Sequence, residues 1–143
     1  MIGQLFEVIT IGLPFCAFKI ITGLYFAQYW LVAIGIIDLV INGLNLFSII
    51  FARKRLLNTC LITIIVDWLK TNRDKDRELY LDLGNALDIF VSFFIVALMI
   101  GSGHIAKLPA VNLDIWNICV VLNVLGAGYG RLSQSIKRFK GAP

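Results

Sequence analysis

WLVAIGIIDLVINGLNLFSIIFARKR, residues Trp30 to Arg55, decides how the rest of the chain is read. The mainly apolar run from Trp30 to Ala52, at about 1.5 Å per helical residue, is long enough to cross the roughly 30 Å hydrocarbon layer of a bilayer. Arg53, Lys54 and Arg55 close it, as basic residues close a membrane helix on its cytoplasmic side. Within the run Asp38, Asn42 and Asn45 recur at i, i+4 and i+7, so a line of polar groups lies on one helix face. Inside hydrocarbon such a face needs a partner.

The whole composition agrees with a membrane setting. The chain has 143 residues, 59% hydrophobic and 15% charged, with a mean hydropathy of +0.85, far more apolar than an ordinary soluble domain. The net charge of +4 comes from basic residues that flank apolar runs instead of forming a stripe on a soluble module, so the expected polyanion is a lipid surface and not nucleic acid. Cys16, Cys60 and Cys119 form no CxxC pair, and the chain has a single histidine. Neither a disulfide framework nor a Cys/His metal site is indicated, and no cofactor is expected. The opening MIGQLFEV lacks a basic region and carries Glu7, so it reads as a retained first span and not as a signal peptide.

Working outward from the central run, residues 5–27 form the first span, with Gly12, Cys16, Lys19 and Gly23 along one stripe and Pro14 as an expected kink. Spans follow over 30–52, 81–100 and 115–130, the last with Trp116 at the outer interface and Tyr129 at the inner one. Between the second and third, residues 56–70 are too short to span. Thr59, Thr63, Asp67 and Lys70 fall on one face, which predicts an amphipathic helix lying in the cytoplasmic interface, with a re-entrant segment as the alternative. Residues 131–143 form a basic amphipathic tail. The expected fold is therefore an all-α integral membrane protein, a single membrane domain of four transmembrane helices arranged as two antiparallel hairpins. A weak repeat at an offset of 81 residues matches Glu7 to Asp88, Asn42 to Asn123 and Leu44 to Leu125.

Charge sets the orientation. Of thirteen Lys and Arg, Lys107 falls on one side and Lys19 within the bilayer, and the rest fall on the other side, so the positive-inside rule places both termini in the cytoplasm of what reads as a bacterial cytoplasmic membrane. Arg53, Lys54, Arg55, Arg131, Lys137, Arg138 and Lys140 are the expected headgroup contacts, with an anionic inner leaflet as partner.

Lys19 and Asp38 stand symmetrically about the midpoint between Gln28 and Tyr29, so in an antiparallel hairpin they meet at one depth. Two lone charges there would each cost at least about 2.5 to 3.5 kcal/mol, which favours an ion pair. As a function, the pair with Asn42 and Asn45 would relay a proton or cation. As structure it would clamp the hairpin, and the clamp is favoured because the sequence shows no second acid at that depth. Asn85, Asp88 and Ser92 read as a polar patch at the start of the third span. Asn123 shares a face with Gly126 and Gly130, a GxxxG packing motif that serves either the chain itself or a second copy. His104 reads as a solvated loop residue.

Because GxGxxG, GxxxxGK[ST], HExxH and GxSxG are all missing, the protein is not expected to be an enzyme. Small size, close-packing glycines and polar helix faces point first to a structural or accessory subunit, joining itself or another membrane protein. The second reading is a small oligomeric transporter or channel for a proton, cation or small solute.

Overall fold

The protein is described here from a computed structural model, in which residues 2–54, 56, 61, 63–65 and 74–141 are described. Every element among them is helical. Helix α1 (Ile2–Glu7) runs through a π-helical turn (Val8–Gly12) into α2 (Leu13–Tyr25), and α3 covers Tyr29–Ala52. Helix α4 (Asp74–Gly101), a 3-10 turn (His104–Lys107) and α5 (Ala110–Gly141) complete the order. Among the described residues four stretches are long and apolar enough to cross a membrane: Gly3–Tyr25, Tyr29–Ala52, Asp82–Gly101 and Ala110–Ser133.

The π turn has a local cause. Pro14, in the first turn of α2 and buried, has no N–H to offer the carbonyl one turn below, and the wider register of Val8–Gly12 takes up that loss without breaking the helix. The expected kink at Pro14 is thus met by a change of helical register before it. At its other end α2 stops when Ala27 turns left-handed (φ 53°) and the Gln28 N–H bonds back to Gly23 C=O at 2.7 Å. A side chain at Gly23 would collide with Val32, and its Cβ would lie 3.1 Å from the Gln28 carbonyl, so the glycine lets α3 fold straight back along α2. Arg53, also left-handed (φ 57°), ends α3.

Helix α2 is the hub. It packs against α3 along its length and also against α4 and α5, whereas packing between α4 and α5 themselves is sparse. Phe15, Phe18 and Ile21 of α2 meet Leu31 of α3, Ile95 and Met99 of α4, Leu108 of the loop, and Trp116 and Cys119 of α5. In lipid there is little hydrophobic drive between helices, so close approach matters more than apolar area. Gly35 supplies such an approach, since a Cβ there would lie 2.8 Å from Ile20 Cγ1 and 3.1 Å from the Ile20 backbone nitrogen. Outward faces stay apolar, with Phe47, Phe51, Phe90 and Phe94 exposed.

Two expectations are corrected. Trp116 does not mark an interface: it is 0% exposed and stacks on Phe18 with ring centroids 4.6 Å apart. Because α5 begins at Ala110, ahead of the expected 115, Trp116 lies well inside the helix on its inward face. Residues 131–141 of the basic stretch continue α5 without a break. The interfacial placement of 56–70 does not fit its described part. Leu61 N–H donates to Asp38 Oδ1 at 2.7 Å, and Thr63, expected on the wet face, is 1% exposed and packs on Gly84 of α4. Roughly 20 Å of α3 separates Asp38 from the Ala52 end, too far for a helix lying at headgroup level to reach. Thr59, Asp67 and Lys70 lie outside the described residues, as does Cys60.

Candidate functional site

Lys19 projects from α2 into the interior between three spans. Its ammonium donates to Asp38 Oδ2 of α3 at 2.6 Å and to Asp88 Oδ1 of α4. The side chains are almost sealed, with 2% of Lys19, 3% of Asp38 and 13% of Asp88 exposed. Sequence symmetry about the α2–α3 turn places the first two groups together. The third arrives from a helix that the sequence ties to α2 only through long connections. Asp88 is therefore not a helix-start feature, as its position near the head of the third span suggests, but an interior residue of a helix that begins at Asp74. It shares its face with Ser92, Ile95 and Met99, all buried.

Asp38 is held from several directions. One carboxylate oxygen takes the ammonium and the other takes the Leu61 N–H, while its own backbone carbonyl accepts from Asn42 Nδ2 at 2.9 Å. Asn42 also lies 3.7 Å from the Cys16 sulfur, which donates to Gly12 C=O at 3.0 Å. A Cβ on Gly12 would fall 2.3 Å from Asn42 Oδ1, so the glycine is what admits the amide to the seam. Below it Asn45 and Ser48 are buried on the same face, and Ser48 Oγ donates to the Lys54 carbonyl at 2.8 Å. On the other side of Lys19, Thr22 is buried and its hydroxyl has no hydrogen-bond partner among the described residues. Polar side chains thus line the α2–α3 seam from Thr22 to Ser48, with the three charges at its middle.

Of the remaining expected residues, Asn123, Gly126 and Gly130 lie apart from this cluster. Asn85 is half-buried on α4. Ser92 is fully buried and its hydroxyl finds no partner among the described residues. Asn123 donates to Cys119 C=O at 2.9 Å within α5. The two glycines of the GxxxG part company. A Cβ on Gly126 would lie 2.5 Å from Thr10 Oγ1, so it packs within the chain, whereas nothing lies within 4 Å of one on Gly130. Arg53, Lys54 and Arg131 are exposed; Arg55 and the side chains of Lys137, Arg138 and Lys140 lie outside what is described.

Two further findings concern groups the sequence treats as bland. His104 is not a free loop histidine: its Nδ1 lies 3.1 Å from the Tyr25 hydroxyl, and its ring packs on Tyr25 and Phe26, tying the two turns at one end of the molecule. Among the described residues no group of three or more His, Cys, Asp or Glu could hold a metal ion. No family model, no curated protein and no solved structure matches the chain.

Proposed function

We propose that the protein is a small ion-linked membrane protein, a transporter or channel subunit in which Lys19, Asp38 and Asp88 bind and pass on a proton. The observation that carries this reading is the sharing of one ammonium by two carboxylates from different spans. Sequence alone argues for a clamp because it shows no second acid at the depth of Lys19, and Asp88 removes that ground. With two acceptors competing, a proton on either carboxylate turns Lys19 toward the other and alters the contact of α2 with α3 or α4. Ionisable groups in a membrane interior are costly and are kept where charge is moved. The polar seam on either side of the cluster offers the approach.

In this reading the spans form hairpins with both termini cytoplasmic, the chain at Leu61 and Thr63 lies within the bilayer beside Asp38, and several copies or another subunit complete the pathway, since four helices enclose little interior. Anionic lipids of the inner leaflet are the expected surroundings of the basic ends.

Low exposure of the cluster favours a second reading, a structural or accessory subunit in which the charges only lock three spans together. Reconstitution separates the two. Vesicles with a pH dye inside and an imposed potassium diffusion potential are expected to acidify with the wild-type protein and not with Asp88→Asn, provided the variant is monodisperse and melts cooperatively. Equal flux through a folded Asp88→Asn protein, or no flux above empty vesicles with the wild type, rejects the ion-linked reading.

A further inference from the structure

Because α4 and α5 diverge, a cleft opens between them with the first span as its floor. Its wider part, about 630 Å³, is walled by Ile11, Phe15, Phe93 and Ala127 and ends at Gly130 and Arg131. Phe93, Asn123 and Ala127 also border a narrower pocket of about 140 Å³ that continues past Val96 and Val120. The combined groove follows α5 from Arg131 back to Val120, about 16 Å of helix, and is of the size of ordinary ligand clefts, roughly 300–1,000 Å³. Its polar group in mid-course, Asn123, donates its Nδ2–H to its own helix carbonyl, and the walls around it are mainly apolar side chains. At the mouth the pattern reverses. The bare Gly130 leaves open space, and Arg131 beside it is exposed with no ion-pair partner among the described residues.

We infer that this cleft is a discrete binding site for one anionic phospholipid, with an acyl chain lying between α4 and α5 and the phosphate seated on Arg131. An amphiphile with a negative head and a long apolar tail matches both ends of the groove. A soluble anion would leave the apolar length empty, and an uncharged chain would leave Arg131 unanswered. The site is distinct from diffuse attraction to the basic end of α5, because it needs the walls as well as the charge. It also stands apart from the Lys19 cluster, so it does not depend on the ion-linked reading.

Native mass spectrometry of the full chain released from detergent, titrated with dioleoylphosphatidylglycerol or dioleoylphosphatidylcholine, tests the site. One phosphatidylglycerol is expected to be retained per chain, with about fivefold preference over phosphatidylcholine, the effect of one arginine near a membrane surface. Arg131→Gln is expected to equalise the two lipids, and Ala127→Phe, which fills the groove from an exposed position, to lose both. Replacing Lys137, Arg138 and Lys140 together with Gln is expected to keep the preference. The site is rejected if the wild type shows no preference, if the preference survives Arg131→Gln or vanishes with the tail replacement, or if the cleft is closed by a second copy in a lipid-free dimer.

Discussion

At the residue scale, Lys19 is worth more to its neighbours than either carboxylate is to it. Taking away one partner of a buried pair leaves uncompensated charge and costs about 3–5 kcal/mol, whereas replacing the whole set by apolar groups of similar size is close to neutral. Lys19→Met, which leaves Asp38 and Asp88 facing each other in a sealed interior, is therefore expected to lower the melting temperature in detergent sharply. The triple change Lys19→Met, Asp38→Leu, Asp88→Leu is expected to restore most of it and to abolish proton flux. A Lys19→Met protein as stable as the wild type would show that the charges do not depend on one another. Gly35 makes a second prediction at this scale: with Lys19 Cβ and the Ile20 backbone 3.0 and 3.1 Å from where its own Cβ would be, Gly35→Leu must push α2 and α3 apart. Overpacking of that kind costs roughly 1–3 kcal/mol, read as a loss of thermal stability, and an unchanged melt would mean that the α2–α3 contact is looser than the structure has it.

Elements show which parts of the molecule are legible in the sequence and which are not. Meeting of Lys19 with Asp38 can be read directly, because a short turn fixes the register of two neighbouring helices and equal distance from it means equal depth. Asp88 is hidden by the opposite circumstance: its face is plain from Ser92, Ile95 and Met99, but nothing in the spacing says which helix that face meets. The GxxxG has the same limit, since spacing cannot tell that Gly126 touches Thr10 while Gly130 borders open space. Residues 56–70 mislead for a different reason. A polar line on a short helix looks wet, yet Thr63 is polar and buried, and a backbone N–H at Leu61 is a ligand for a carboxylate that no side-chain pattern can reveal. A nitroxide at Ile65, exposed on that segment, is expected to show the oxygen accessibility of the bilayer interior. Headgroup-level accessibility would return the segment to the interface. Tyr25→Phe removes the hydroxyl that meets His104, and is expected to cost about 0.5–1.5 kcal/mol and to loosen the turn around 104–107 in hydrogen exchange.

At the scale of the whole molecule, one helix carries the packing of all the others. Because α3, α4 and α5 each lean on α2 and α4 and α5 hardly on one another, the structure depends on α2. Lys19 finds its partners at sequence separations of 19 and 69 residues. The nearer carboxylate, Asp38, is therefore expected to meet the ammonium before Asp88 does. A molecule lacking its second half is then expected to keep the Lys19–Asp38 pair but to leave the ammonium without its second carboxylate. Two fragments, residues 1–70 and 71–143, expressed together are expected to co-purify, and Asp88→Leu in the second is expected to weaken their reunion far more than the same change weakens the intact chain, where the connection holds the halves together.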